Sequence, residues 1–195
     1  MDVIITLPNP NQNGPMSLEK MIAARRSRRN FSQRPLALEQ IGQLLWAAEG
    51  QRPGGRYRTS PSAGATYPLE LFVVMGEGLF QYLPPKHSLR KRSDKDLRAA
   101  LASAAWGQEF IQQAPLTLVF AAEFARTTGR YGQRGIRYVY MEAGHAAQNV
   151  HLQAESLGLG SVAVGAFDDA SVGKVLSLPQ NLEPVYMIVV GYCRT

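Results

Sequence analysis

Ser60-Pro61-Ser62-Ala63-Gly64-Ala65-Thr66-Tyr67-Pro68 runs directly into Leu69-Glu70-Leu71-Phe72-Val73-Val74-Met75, and the reading of this junction decides the fold. The second half is a β-like apolar run. Gly76-Glu77-Gly78 follows as a turn and Leu79 to Leu83 as a short strand, so the two strands read as a hairpin. The first half is unusual for a connector. Two prolines bracket small residues, which let a ligand ring or chain approach the backbone closely. Serine and threonine hydroxyls and free backbone N–H groups offer neutral hydrogen bonds. An ordinary surface turn would explain the same residues.

Upstream, residues 1–16 read as an arm rich in Pro and Asn. Ser17 caps a helix expected to run to about Ser27, with Leu18, Met21 and Ile22 on one face. A second helix is expected over Leu38 to Glu49, stopped by Gly50. Downstream, Ser93 with Asp96 three residues on resembles a capping box, and Leu97, Ala100 and Leu101 are expected to face inward. More helix is expected towards Ala114, then a strand over Leu116 to Ala122. Ile136, Val139, Tyr140, Ala143, Ala147, Val150, Ala154 and Leu157 recur at steps of three and four, which marks a long helix closed by Gly158. Ser161 to Val164 and Val185 to Val190 read as strands around a helix over Asp168 to Leu176. The elements define an α+β domain over residues 17–195.

The 195 residues suffice for one core, since a chain of this size buries roughly 70% of its unfolded surface. The single Cys193 excludes an internal disulfide. No stretch reaches the roughly 18–20 apolar residues of a membrane span, and the first residues do not read as a signal peptide, so a cytoplasmic protein is expected. The net charge of +6 suits an anionic partner. Its basic residues fall at Arg25 to Arg34, Arg52 to Arg58 and Lys86 to Arg98, interleaved with turn residues or acids. That distribution favours a phosphorylated small molecule over nucleic acid or membrane.

Familiar catalytic patterns are absent: no Walker loop, no G-x-G-x-x-G after a strand, no G-x-S-x-G elbow. Glu142 and His145 share a helix face, but no third ligand of the right type accompanies them, so no metal is expected. The other anomaly is Arg25-Arg26-Ser27-Arg28-Arg29-Asn30-Phe31. Four arginines within five residues repel one another, and an anion such as phosphate would offset them. A solvated basic turn is the alternative.

In order, these segments resemble the FMN-dependent nitroreductase family. The family's Arg-Arg-Ser-x-Arg-x-Phe-like opening matches Arg25 to Phe31. Its Pro-Ser-Ala-Gly-Asn-x-Gln-Pro loop matches Pro61 to Pro68, and its late Gly-Leu-Gly strand matches Gly158 to Phe167. Its terminal apolar strand and Gly-Tyr match Val189-Val190-Gly191-Tyr192. Ala65 and Tyr67 replace the usual Asn and Gln. That variant, with Arg137-Tyr138 through His145 and Gln148-Asn149, is similar to the SagB-type subgroup, which includes azoline oxidases.

The resemblance implies a nitroreductase-like fold, with a central, mainly antiparallel sheet flanked by helices in an intertwined homodimer. It implies that Arg25, Arg26 and Ser27 hold the phosphate and ribityl chain of FMN, with Arg29 near the N1/O2 edge of the ring. Pro61, Ser62, Ala63, Gly64 and Ala65 of the other subunit would cover the ring. Val164, Gly165 and Ala166 would lie near N5, and Arg194 would close on the phosphate, with Arg58 a further contact. No side chain need serve as nucleophile, because the flavin carries the chemistry. The activity implied is ping-pong reduction of an electron-poor, nitro- or quinone-like small molecule by NAD(P)H. Flavin-dependent oxidation of an azoline-type substrate, and a non-enzymatic basic ligand-binding protein, are the alternatives. Tyr67, Tyr131, Arg134 and Tyr138 are candidates to face the substrate.

Overall fold

A single sheet of seven strands organises the residues described, 3–194 of the computed structural model. In chain order the elements are β1 (Ile4–Thr6), α1 (Leu18–Ala24), α2 (Leu38–Glu49), β2 (Leu69–Met75), β3 (Gly78–Leu83), β4 (Ser88–Ser93) and α3 (Arg98–Ala104). There follow α4 (Glu109–Gln113), β5 (Leu116–Ala122), α5 (Phe124–Tyr131), α6 (Arg134–Ser156), β6 (Gly160–Val164), α7 (Asp169–Val175) and β7 (Glu183–Gly191). The strands lie in the order β1-β4-β3-β2-β5-β7-β6, and each neighbouring pair is antiparallel. This is the α+β architecture expected from the sequence.

β5 lies inside the sheet, between β2 and β7, and every one of its residues is buried. That explains its unbroken apolar run. Alternation along the strands splits the core in two. Leu71, Val73, Leu118, Phe120, Ile188 and Val190 face α2 and α6. Phe72, Val74, Val119, Val162 and Val189 face α3, α4 and α7.

The longest helix, α6, buries Val139, Ala143, Ala147, Val150 and Ala154 as its periodicity predicts. Ile136 and Tyr140 of the same stripe are exposed. Gly158 ends it with φ +69°, the left-handed conformation in which glycine is favoured. Gly50 stops α2 differently. Its φ is −64°, and it must be glycine because a side chain there would run into Trp46.

Three expectations are corrected. Helix α1 stops at Ala24, not Ser27, because the chain leaves helical geometry at Arg25 to pair with the edge of β6. Its Leu18 and Ile22 are exposed in the single chain. Ser93 does not cap a helix: it ends β4, because Ser88–Ser93 finds backbone partners in both β3 and β1. Pairing on two sides overrides a local capping preference. Asp96 serves the helix start instead, accepting from the backbone N–H of Arg98 at 3.1 Å and from its Nε at 2.9 Å. Ala100 is exposed while Leu101 is buried. Within residues 3–16, β1 forms the sheet edge and Leu7 reaches the core.

Gly78 opens β3 at φ +128°, and an added methyl there would meet the carbonyl of Ser93. Gly78→Ala is expected to destabilise the fold by about 2–4 kcal/mol. Chemical denaturation checks this, and an unchanged midpoint would contradict it.

Candidate functional site

The arginine run owes its shape to backbone pairing on two sides. Ser27 bridges to Ser161 of β6, and the N–H of Arg28 donates to the Ser161 carbonyl at 3.0 Å. Further along, the N–H of Ser32 donates to the carbonyl of Tyr192 at 2.8 Å. The N–H of Arg194 donates to the carbonyl of Asn30 at 2.9 Å. The fold thus brings Arg194 against the Asn30 end of the run. Among the described residues Arg28 pairs with Glu155 at 3.6 Å, and no acid lies within ion-pair distance of Arg25, Arg26, Arg29 or Arg194. The Arg29 guanidinium sits 5.9 Å from the Phe110 ring centroid. A local cluster of cations without counter-charges is a ready anion site.

Behind the run lies His151, whose Nδ1 is 2.7 Å from the Ser161 hydroxyl. Burial and the nearby Arg25 push its pKa down to about 4, so it is neutral at physiological pH. At the end of β6, Gly165 and Ala166 are exposed, and Gln108 Nε2 donates to the Ala166 carbonyl at 2.8 Å. Val164 is buried and paired with Met187 of β7.

The loop from Pro61 to Pro68 forms a single 3-10 turn over Ala63–Ala65. Gly64 and Ala65 have φ of +61° and +53°. Arg130 Nη1 donates to the Gly64 carbonyl at 3.3 Å, and a side chain at Gly64 would collide with Arg130 and Tyr131. Pro61, Gly64 and Ala65 are exposed. The hydroxyl of Ser62 faces inward: it accepts from the N–H of Tyr67 at 2.9 Å and is hydrogen-bonded to Glu142 of α6. Tyr67 also turns inward. Its hydroxyl accepts from the N–H of Arg58 at 3.2 Å, and the Arg58 guanidinium stacks 4.8 Å from its ring centroid. Arg58 is therefore engaged inside the protein, bound to Glu49 at 2.9 Å and to the Leu69 carbonyl at 3.2 Å.

Beneath this loop lie two buried carboxyl groups. Burial pushes Glu49 up to about 8, with Arg58 pulling the other way. Burial also pushes Glu142 up to about 7, opposed by Ser62 and Arg58. Burying a carboxylate disfavours its charged form, and one guanidinium does not offset that for two acids. Glu142 carries a sequence signal, its place on the polar stripe of α6. Glu49 and His151 carry none, because their burial comes from tertiary packing.

Helix α6 acts as a ruler between the two segments. The loop attaches at Glu142 and at Asn149, whose Nδ2 donates to Ser60 Oγ at 3.2 Å. The arginine run backs onto His151 and Glu155. At about 100° per residue, Glu142 and His151 lie roughly 180° apart around the helix. One chain therefore joins the arginine run, the Gly165 segment and Arg194 on one flank, and holds Pro61 to Ala65 on the other. Of the substrate candidates, Tyr138 lines a cavity with Pro61, Ser62 and Ala63, and Tyr131 packs edge-on against it at 5.2 Å. Arg134 is exposed at the start of α6.

Residues 22–192 match the Nitroreductase family, and the chain belongs to it. A provisionally named nitroreductase of Methanocaldococcus jannaschii is 44% identical over 90% of this chain and 91% of its own length. The crystal structure of a provisionally assigned nitroreductase from Ralstonia eutropha superposes with a TM-score of 0.89 at 33% identity, covering 98% of this chain and 90% of the other. More distant are the Microcin B17-processing protein McbC of Escherichia coli, 29% identical over 75% of this chain, and the FMN reductase [NAD(P)H] of Bacillus subtilis, 25% identical over 89%. The matches span 58% and 64% of those two proteins.

The raised carboxyl groups make stability depend on pH. A folded pKa above the unfolded value gives stability that is full below about 4.5 and lost as pH rises through about 7 and about 8. Denaturation midpoints are expected to fall between about pH 4.5 and about pH 8, with a shallower fall up to about pH 7 in Glu142→Gln. Equal slopes in the two proteins would refute the assignment to Glu142.

Proposed function

We propose that this protein is an FMN-dependent oxidoreductase, a homodimer that takes electrons from NAD(P)H and passes them to an electron-poor small molecule. The observation that carries this reading is the arginine run stitched to β6, in which Arg25, Arg26 and Arg29 have no acid at ion-pair distance among the described residues, next to the exposed Gly165 segment. Its residues fit FMN. Arg25, Arg26 and Arg194 supply guanidinium donors for a phosphate, each contact contributing about 1.5–3 kcal/mol. The Ser27 hydroxyl, exposed beside them, suits the ribityl chain. Arg29 places a positive charge where added electron density on a flavin ring is favoured. Gly165 offers backbone N–H without a side chain in the way, its nearest neighbour being the Tyr186 ring. Bound there, the flavin supplies two-electron redox chemistry.

The two flanks of α6 support the dimer. Pro61 to Ala65 belong to the covering face of such a site, yet within one chain they stand opposite the arginine run. A second subunit supplies them. The exposed Leu18, Ile22, Tyr140 and Met141 give the apolar surface for that contact. The Bacillus relative, by its name an FMN reductase using NAD(P)H, supports both cofactors.

A second reading, oxidation of an azoline-type substrate, is favoured by Ala65 and Tyr67 in the loop and by the likeness to McbC. Anaerobic mixing separates the two. Bleaching of bound flavin by NADH or NADPH is expected, and failure of both would favour the oxidase.

The purified protein is expected to be yellow and to release FMN on heating. Arg26→Ala is expected to weaken FMN by about 10–100-fold while leaving riboflavin, which lacks the phosphate, within about twofold. Fluorescence titration of the flavin-free protein checks this. Equal losses for both ligands would remove the phosphate from Arg26.

A further inference from the structure

Between the Pro61–Pro68 loop and α6 lies a cavity of about 280 Å³, lined by Pro61, Ser62, Ala63, Tyr138, Met141, Glu142 and His145. It is smaller than the roughly 300–1,000 Å³ of sites for drug-sized ligands, so it suits one or two rings. Pro61, Ala63 and Met141 make its walls apolar. The Tyr138 ring is held edge-on by Tyr131 and offers a flat face. Polar groups are few. The Ser62 hydroxyl is already engaged by Tyr67 and Glu142. Glu142 itself is 2% exposed, and its Oε1 has no hydrogen-bond partner among the described residues. An ionised carboxylate only accepts hydrogen bonds, so this wall favours donors and repels anions.

We propose that this cavity is a substrate-recognition subsite in which Glu142 accepts a hydrogen bond from an N–H group of a flat, nitrogen-bearing ring. As the loop that borders it is the one assigned to cover the flavin, the placement next to the reacting centre rests on the oxidoreductase reading. The recognition itself rests on Glu142 and the walls. It makes Glu142 a specificity-determining residue that selects amine- or amidine-type rings over carboxylated ones.

The charged and titratable groups around Glu142 are Arg58 and Glu49 at the loop side, and Tyr138 and His145 on α6 itself; Glu70 on β2 acts on Glu49. Arg58 is bound to Glu49, which leaves Glu142 as the acceptor facing the cavity. With its carboxyl at about 7, Glu142 is mostly protonated at about pH 6 and mostly ionised at about pH 8.5.

The test is calorimetric titration of the protein as purified with benzamidine and with benzoate, which share a ring and carry opposite charge. At about pH 8.5 benzamidine is expected to bind at least tenfold more tightly than benzoate, and about tenfold more tightly than at about pH 6. Glu142→Gln is expected to abolish that pH dependence. Equal affinities for the two compounds, or a pH dependence that survives Glu142→Gln, would overturn the proposal. The contrast between the two compounds needs no variant, so it remains decisive if Glu142→Gln fails to fold. A colourless protein showing this contrast would sink the flavin reading and keep the subsite. A yellow protein without the contrast would do the reverse.

Discussion

The packing of α6 across the sheet is the constraint on which the rest of the molecule depends. Its buried stripe is made largely of alanine: Ala143, Ala146, Ala147 and Ala154 accompany Val139 and Val150. Small side chains let the helix axis lie close to β6, β7 and α2. Closeness gives the flanks of the helix short reach to both functional segments. On one flank Glu142 and Asn149 hold the Ser60–Ser62 end of the loop. On the other, His151 braces Ser161, and Glu155 holds Arg28. A larger residue at Ala147 would lift the helix and loosen both at once, because interiors are close-packed.

The same arrangement concentrates unfavourable electrostatics at the places where chemistry is expected. In the arginine run Arg28 alone has an acid at ion-pair distance among the described residues, and the loop sits over two buried carboxyl groups served by one guanidinium. Neither feature stabilises the isolated fold. Buried ion pairs are weak sources of stability, and a carboxyl oxygen without a partner is a cost. Both features make sense as pre-formed complements: donors for an anion on one flank, an acceptor for a donor on the other. Core packing elsewhere offsets the cost, since β5 is completely buried and β2 and β7 are mostly so.

Most of the framework was legible because its elements follow simple periodicities. The bounds of β2, α2 and β5 match their apolar patterns, and α6 starts two residues before the predicted stripe and ends one residue before its last member, Leu157. What the sequence hid has identifiable causes. β4 is Ser-Leu-Arg-Lys-Arg-Ser, whose charges suit the edge region of a sheet and mask its strand character. α5 begins in Phe124-Ala125-Arg126-Thr127, with no N-cap side chain to announce it. At the site, the arginine run and the Gly165 segment were legible as motifs, and their proximity follows from β6 pairing. The inward turn of Ser62 and Tyr67 was not legible. It depends on φ of +46° at Tyr67 and on Arg58 being drawn to Glu49 from a distant helix end.

That inward turn bears on why the loop differs from the family's usual one. With Asn and Gln in place of Ala65 and Tyr67, the loop would carry two polar side chains with amide donors and acceptors. Here Ala65 presents only a methyl and backbone, and Tyr67 spends its hydroxyl and ring on Arg58. The polar functions of the loop have moved below it, into the Ser62–Glu142 contact and the Glu49–Arg58 pair. The surface left above is small and apolar, over a carboxyl group able to change its charge near neutral pH. The departure from the family pattern therefore leaves the loop its shape and removes polar side chains from its surface. Two backbone-anchored residues, Gly64 through Arg130 and Tyr67 through Arg126, keep that shape without the amide side chains.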